Sequence, residues 1–128
     1  MIRLLLVEDI ILLHTKLIKK TGGRQGIRDK GLIESATARA LATFGGNDLY
    51  KTLDEKIAVT TYALINNHGF IDGNKRVGIA AMLLLARING IILSYSQQEL
   101  ITLGLGTAES LIDVEKIIEW IDQHKKNK

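Results

Sequence analysis

The sequence predicts an all-α protein that forms one domain over residues 1–128. The chain has 128 residues, no proline, and 46% hydrophobic residues. A chain of this length buries about two thirds of its unfolded surface, which suits one packed core. Helices without proline run without kinks, and apolar residues recur at helical spacing along most of the chain. These observations favour a bundle of helices.

The first predicted helix covers residues 8–21, and Gly22 with Gly23 ends it. Its apolar positions are Ile10, Ile11, Leu17 and Ile18. Residues 2–6 fit either a short strand or a lead-in to this helix, because so short an apolar run has no decisive period. His14 lies on the apolar face. The sequence places no carboxylate beside it, so we interpret it as a packed histidine rather than a catalytic one.

Residues 22–28 form a glycine-bearing loop with a short extended piece near residues 25–28. Asp29 then stands where a helix cap is expected. The apolar face of the second helix is made of Leu32, Ile33, Ala36, Ala40 and, at its end, Phe44. The Gly-Gly-Asn-Asp run at residues 45–48 breaks this helix.

Thr52 and Glu55 form a capping box that opens a third helix. Its apolar positions are Ile57, Ala58, Tyr62, Leu64 and Ile65. This helix leads into a polar segment at residues 68–76. A fourth helix follows over residues 77–89, apolar on nearly all sides, and Gly90 suits its C-terminal stop. Such an apolar helix belongs in the core.

The tail is also predicted to be helical. After a brief extended run at residues 91–93, Ser96 and Glu99 form a second capping box. Gly104 and Gly106 lie inside the helix that it opens and disfavour its continuity. A last helix from about Asp113 buries Val114, Ile117, Ile118 and Ile121, and Trp120 on it is interpreted as a packing or edge residue.

The charge gives little support for nucleic-acid binding. The formal net charge is +3 and the isoelectric point is about 9.2, and much of the excess lies in Lys125, Lys126 and Lys128, which we interpret as a solvated tail. The absence of cysteine excludes disulfides and thiolate metal sites and fits a reducing cytoplasm. No apolar run approaches the roughly 20 residues that span a membrane. Glu8 and Asp9 interrupt the N-terminal apolar run before it resembles a signal sequence.

The most informative stretch is residues 68–76, with the sequence His-Gly-Phe-Ile-Asp-Gly-Asn-Lys-Arg. It precedes the apolar fourth helix, whose first turn presents free backbone N–H groups and the positive end of the helix dipole. Gly73 lets the backbone approach an oxyanion, and Asn74, Lys75 and Arg76 add donors and charge. The layout predicts a loop that binds a polyphosphate. The chain has no Walker-type P-loop pattern, so a nucleotide must be held here.

Two side chains of this stretch are candidates for a general base and a metal ligand. An imidazole exchanges a proton near neutral pH, so we interpret His68 as a general base that deprotonates an attacking hydroxyl. Asp72 is a hard oxygen ligand that suits Mg²⁺ shared with substrate phosphates, and it also suits the N-cap of the fourth helix. Phe70 and Ile71 are expected to hold the loop against the core.

Other interpretations of the stretch carry less weight. His68 and Asp72 form half of a zinc site by spacing, but no third ligand of matching type follows. Lys75 and Arg76 are unfavourable at a helix N-terminus unless an anion compensates their charge, which argues for a bound anion. The roles of Asn66 and Asn67 stay open, and so does the question of which arginine among Arg24, Arg28 and Arg87 reaches the site.

Residues 68–76 resemble the motif of the Fic/Doc family in its death-on-curing form, His-x-Phe-x-Asp/Asn-Ala/Gly-Asn-Lys-Arg, at every fixed position. Residues 21–36, the helix entering His68, Asn89-Gly90 and the helical tail resemble the family as well. The resemblance covers essentially the whole chain. It implies a single Fic/Doc helical bundle with a short flap segment before the second helix.

The resemblance also implies a reaction. The branch of the family that transfers AMP carries HPFxxGNGRxxR, but this chain has Gly69, Lys75 and Ile79 where that pattern has its proline, second glycine and second arginine. The lysine adds charge to the anion cradle, and the missing arginine removes a bidentate donor. In the death-on-curing branch the γ-phosphate of ATP meets the attacking hydroxyl, and Mg²⁺ assists. The alternatives are a protein nucleotidyltransferase and a catalytically silent phosphate-binding module.

The resemblance assigns roles to individual residues. His68 is the base, Asp72 binds Mg²⁺, Gly73 and Asn74 form the anion nest, and Lys75 and Arg76 hold the phosphates. The flap residues Gln25, Gly26, Ile27 and Arg28 dock the target's backbone by strand addition. The implied protein is a cytoplasmic toxin kinase of a toxin–antitoxin pair that phosphorylates a threonine of elongation factor Tu. Its antitoxin folds a disordered tail into a groove of the toxin, and neither a membrane nor nucleic acid is expected as a partner.

Overall fold

The computed structural model describes residues 1–126. In that part of the chain the helices are α1 Val7–Thr21, α2 Lys30–Ala38, α3 Leu53–Asn67, α4 Asn74–Ile88, α5 Gln97–Ala108 and α6 Val114–Gln123. A 3-10 turn at Arg39–Leu41 and two short strands, β1 Thr43–Phe44 and β2 Asn47–Asp48, lie between α2 and α3. The predicted all-α class is confirmed. Residues 2–6 are an irregular lead-in, tied to Asn89 by two hydrogen bonds of 2.8 Å with the backbone of Arg3.

Helix α3 lies at the centre and packs against α2, α4, α5 and α6. Its start is fixed by the predicted capping box, in which Glu55 N–H donates to Thr52 Oγ1 at 3.1 Å and Thr52 N–H donates to Glu55 Oε1 at 3.0 Å. Helix α3 packs closely against α4 at Gly78, where a β-carbon would lie 2.5 Å from Cγ1 of Ile65. The two helices that flank residues 68–73 therefore form one rigid pair.

Two apolar clusters make the core. The first joins α1, α2, α3 and α4 around Ile10, Ile33, Leu64, Phe70 and Val77. The second joins α3, α4, α5 and α6 around Ile57, Met82, Leu85, Leu103, Ile117 and Ile121. Phe70 of the polar segment thus belongs to the first cluster, which anchors that segment to the core.

The region between α2 and α3 differs from the prediction. Helix α2 ends at Ala38, and Phe44 is 82% exposed in an antiparallel hairpin where Thr43 pairs with Asp48. Assigning Phe44 to the apolar face of α2 was therefore wrong. The hairpin is held by the buried Lys56, whose Nζ donates to Ala40 O at 2.9 Å and to Asp48 Oδ2 at 3.3 Å. Asp29 occupies the N-cap position of α2, but its side chain makes no capping hydrogen bond.

Helix α5 is continuous through both of its glycines. A β-carbon at Gly104 would lie 3.4 Å from Cγ1 of Ile79, and one at Gly106 would lie 2.5 Å from Cδ1 of Ile112. The glycines therefore allow close packing rather than breaking the helix. Trp120 on α6 stacks on His124 with ring centroids 3.8 Å apart, in agreement with a packing role.

The lysine tail is attached to the bundle. Lys125 pairs with Asp54 at 2.7 Å and forms an antiparallel bridge with Leu93, and Lys126 N–H donates to Ile92 O at 2.8 Å. The prediction of a solvated tail was therefore wrong for Lys125, while Lys128 lies outside the described residues. Among residues 1–126, no helix has the length and apolarity to cross a membrane.

Candidate active site

The segment between α3 and α4 is a tight loop closed by its own side chains. Helix α3 ends at Asn67, His68 adopts the left-handed conformation with φ 53° and ψ 48°, and Gly73 is the N-cap of α4. Asn74 closes the loop, because its Oδ1 accepts from Phe70 N–H and its Nδ2 donates to Phe70 O, both at 3.0 Å. The main-chain N–H of Asn74 remains unpaired within residues 1–126.

His14 and Phe70 fasten the loop to the core. His14 is 2% exposed, and its ring stacks on that of Phe70 with centroids 3.8 Å apart and planes 9° apart. Its Nε2 donates to the backbone carbonyl of Asp72 at 2.6 Å. The prediction of a packed histidine is confirmed, and the sequence held no signal for its bond to a residue 58 positions away. Ile71, the other predicted pin, is 44% exposed.

The flap binds the loop from the other side. Gly69 O accepts from the N–H groups of Arg28 at 2.8 Å and Asp29 at 3.0 Å, and Ile71 N–H donates to Gly26 O at 3.1 Å. These bonds frame an antiparallel bridge between Ile27 and Phe70. Only glycine fits at position 69, since a β-carbon would lie 2.5 Å from Cγ1 of Ile33.

The bridge leaves one edge of the flap open. In such a non-hydrogen-bonded antiparallel pair, the N–H and C=O of the paired residue point away from the partner strand. Accordingly, the backbone N–H and C=O of Ile27 have no hydrogen-bond partner in residues 1–126. The flap residues 25–28 are all exposed, and the Ile27 side chain is 40% exposed. This edge is therefore free to pair with another strand.

Asp72 is held as an ionised carboxylate in the loop. Its Oδ2 accepts from Arg24 N–H at 3.0 Å and its Oδ1 accepts from Gly73 N–H at 2.8 Å. The bond from Arg24, then the bond from Gly73 and the charge of Arg76, hold the pKa of this carboxyl below its ordinary value. Asp72 is not the N-cap of α4, and its carboxylate lies between the flap and the start of that helix, with Oδ1 3.7 Å from Nη2 of Arg76.

The two cations of the first turn differ in their surroundings. Arg76 donates from Nη1 to Thr21 Oγ1 and to Gly22 O, both at 2.7 Å, and so ties the end of α1 to α4. Lys75 is exposed and has no hydrogen bond or ion pair within residues 1–126. The backbone N–H groups of residues 74–76 are also without partners in that part of the chain. The turn therefore presents three amides and one free ammonium group.

The side chain of His68 extends from this loop without a polar contact in the part of the chain that the structure describes. The residue is exposed, and its imidazole has no hydrogen-bond partner in residues 1–126. Of the three arginines considered for the site, Arg28 donates to the backbone carbonyl of His68, and Arg24 contacts Asp72 through its main-chain N–H. Arg87 lies in the last turn of α4. Asn67 donates to Leu32 O at 3.0 Å and joins α3 to α2, while Asn66 donates to Tyr62 O at 3.0 Å within its own helix.

An apolar groove of about 390 Å³ opens next to the first turn of α4. Its lining includes Leu17 and Thr21 of α1, Lys75, Arg76, Ile79 and Leu83 of α4, and Leu100, Ile101, Gly104 and Leu105 of α5. Ile79 thus faces an apolar wall at the position where an arginine of the AMP-transferring pattern would stand. Sequence reasoning found no signal for this groove.

The donor set fits Mg²⁺ better than zinc. Residues 1–126 contain no group of three or more His, Cys, Asp or Glu side chains placed to hold a metal ion. A single ionised carboxylate such as Asp72 fits Mg²⁺, which keeps waters and takes further oxygens from a bound phosphate. Glycine is required at position 73, because its φ is 79° and an added β-carbon would lie 2.6 Å from Cδ1 of Ile18.

Comparison with known proteins gives matches consistent with this site. The model of the Fic/DOC family matches residues 4–86. A protein named Toxin Doc from Mycolicibacterium smegmatis is 42% identical over 73 residues, which are 57% of this chain and 56% of that protein. A protein named Protein kinase doc from Escherichia phage P1 is 31% identical over 114 residues, which are 89% of each chain.

Proposed function

The chain belongs to the Fic/Doc family, and we propose that it is the toxin of a toxin–antitoxin pair and acts as a protein kinase. The names of the two relatives, a toxin and a protein kinase, support this proposal. The observation that carries it is the free ammonium group of Lys75 beside unpaired backbone amides of residues 74–76, in a loop that also presents the free imidazole of His68.

The proposed reaction moves the γ-phosphoryl group of ATP to a threonine hydroxyl. An imidazole nitrogen of His68 accepts the hydroxyl proton as the threonine oxygen bonds to the γ-phosphorus. The bond from that phosphorus to the bridging oxygen breaks, and ADP leaves. The amides of residues 74–76 and the Lys75 ammonium group stabilise the charge that spreads over the phosphoryl oxygens.

Asp72 is the proposed ligand of Mg²⁺, because it is ionised and partly exposed beside the phosphate cradle. Bound Mg²⁺ would neutralise charge on the phosphates. Arg76 lies against Asp72 with Nη2 3.7 Å from Oδ1, and its Nη1 is bound to the end of α1. We assign Lys75 the direct contact with phosphate, and Arg76 holds the cradle in shape and adds its positive charge.

Three positions support phosphoryl transfer over AMP transfer. Gly69 packs against Ile33 where the AMP pattern has proline, Lys75 is a free cation where it has glycine, and Ile79 lines an apolar groove where it has arginine. A second bidentate donor for the phosphates is therefore absent at position 79. We infer that Lys75, with the positive charge of Arg76 beside it, holds the phosphates with the γ-phosphorus toward His68.

The flap is the proposed dock for the target. The free N–H and C=O of Ile27 are suited to pair with an extended segment of another protein, which main-chain hydrogen bonds then hold. By the family resemblance the proposed target is a threonine of elongation factor Tu, which makes the cytoplasm the proposed compartment. The proposed antitoxin covers the apolar groove beside Lys75 with a helix formed by its disordered tail.

Intact-mass spectrometry tests the proposal. Purified elongation factor Tu is incubated with the protein, Mg²⁺ and ATP, in parallel with His68→Ala. We expect the target to gain the mass of one phosphate with the parent protein and nothing with the variant. A gain of AMP would move the chain to the nucleotidyltransferase branch. No gain with either protein would overturn the choice of target or nucleotide.

A further inference from the structure

The backbone of His68 is in a conformation that it does not adopt freely. Its φ of 53° and ψ of 48° lie in the left-handed region. Residues with a β-carbon are uncommon there, although histidine occurs there more often than most, and the conformation costs free energy that the surroundings must offset. The direction of the imidazole depends on this conformation, because the Cα–Cβ bond turns with the backbone. Something in the fold must therefore hold His68 in place.

Arg28 provides the contact. Its Nε donates to the carbonyl oxygen of His68 at 2.6 Å, and its Nη2 donates to the carbonyl oxygen of Asn67 at 3.4 Å. These are carbonyls at the C-terminal end of α3, which carries the negative end of the helix dipole. A guanidinium group placed there donates hydrogen bonds to these carbonyls, and its positive charge is attracted by the negative end of the dipole. The same residue donates from its backbone N–H to Gly69 O at 2.8 Å.

No other side chain within residues 1–126 binds the His68 carbonyl, although the preceding Asn67 also donates to Leu32 O at 3.0 Å. The last turn of α3 contains no basic residue, and no further hydrogen bond reaches the His68 carbonyl. The bonds of Asn74 and His14 hold Phe70 and Asp72, which come after His68 in the loop. The flap therefore contacts His68 itself through the Arg28 side chain, and it holds the next residue, Gly69, through the backbone N–H groups of Arg28 and Asp29.

We propose that Arg28 is a positioning residue that fixes the left-handed conformation of His68 and so aims its imidazole at the attacking hydroxyl. This inference rests on the proposed function for the role of the imidazole, but its structural part stands without it. Because Arg28 is adjacent to Ile27, a strand that pairs with the flap also steadies the residue that holds the base. Docking of the target and alignment of the base are thereby linked through two neighbouring residues.

The test compares Arg28→Ala and Arg28→Lys with Arg87→Ala as the matched control. Arg87 is an exposed arginine in the last turn of α4. Nuclear magnetic resonance measures the Cα and carbonyl shifts of His68, which report its backbone conformation. We expect Arg28→Ala to move these shifts away from left-handed values, Arg28→Lys to restore them in part, and Arg87→Ala to leave them unchanged.

Kinetics give the second measurement. We expect Arg28→Ala to lower kcat at least tenfold with little change in KM for ATP, and Arg28→Lys to recover part of the loss. Unchanged His68 shifts in Arg28→Ala would overturn the inference, as would an equal loss of kcat in Arg87→Ala. If the parent shows no phosphoryl transfer, the proposed function fails, while the His68 shifts still decide the positioning role. If Arg28→Ala does not fold, the shifts and kcat of Arg28→Lys decide it.

Discussion

His14 offers a quantitative test of how the loop is held. His14→Phe keeps a ring against Phe70 but leaves the carbonyl of Asp72 without the donor that now lies 2.6 Å away. An unsatisfied buried acceptor costs about 1–3 kcal/mol; because this bond is only partly buried, we expect a loss at the lower end, about 1 kcal/mol, in the free energy of unfolding. His14→Ala also removes a buried ring, and we expect about 3–5 kcal/mol in total, by analogy with other aromatic truncations.

Urea unfolding followed by circular dichroism measures these losses, and the kinase assay measures their effect on the site. We expect the activity of His14→Phe to fall further than its stability explains, because Asp72 and the cradle at Gly73 lose their support. His124→Phe is the matched control, since His124 also stacks on an aromatic ring but lies between α5 and α6. The account of the loop is refuted if His14→Phe matches the parent in both stability and activity.

Three further outcomes are expected. The pKa of Glu99 is held below its ordinary value of 4.5, chiefly by the hydrogen bond from His124, so its contribution to stability is complete above pH 4.5 and is lost as the pH falls through the lowered pKa. Thermal unfolding across this range should show a flatter acid limb in Glu99→Gln, and an unchanged limb would contradict the assignment. Lys56→Met leaves Ala40 O without its donor. We expect the free energy of unfolding to fall by about 1–3 kcal/mol and hydrogen exchange to become faster in residues 43–48. Unchanged protection of those residues would contradict the role of the lysine. Ile27→Asp places a charge at the free edge of the flap, which disfavours pairing with another strand. We expect KM for the protein target to rise several-fold while KM for ATP stays unchanged. A change in KM for ATP alone would argue against docking at the flap.

Local signals in the sequence were sufficient for most helix boundaries. The capping boxes at Thr52 and Ser96 act over three residues, and both occur as predicted. The position of the candidate site between two helices also followed from sequence, because a long apolar run follows Arg76, although α4 begins at Asn74 rather than at residue 77. These are features in which the residues that matter are neighbours in the chain.

Contacts between distant residues were not predictable in this way. The Arg76 side chain binds Thr21, 55 residues earlier, and Lys125 binds Asp54, 71 residues earlier. From sequence, Arg76 was expected to hold phosphates and Lys125 to lie in a solvated tail, and spacing indicates neither contact. The hairpin between α2 and α3 was missed for a related reason, since a Gly-Gly pair marks a break in a helix but gives no indication that the buried Lys56 holds the hairpin.

The central claim is that the γ-phosphorus, and not the α-phosphorus, is transferred with His68 as the base. The most direct measurement incubates a cell extract with the protein, Mg²⁺ and ATP carrying radioactive phosphorus at either the γ or the α position, with His68→Ala in parallel. We predict one labelled protein with γ-labelled ATP, no added label with α-labelled ATP, and no added label with the variant. Label from the α position, or equal γ label with His68→Ala, would contradict the account.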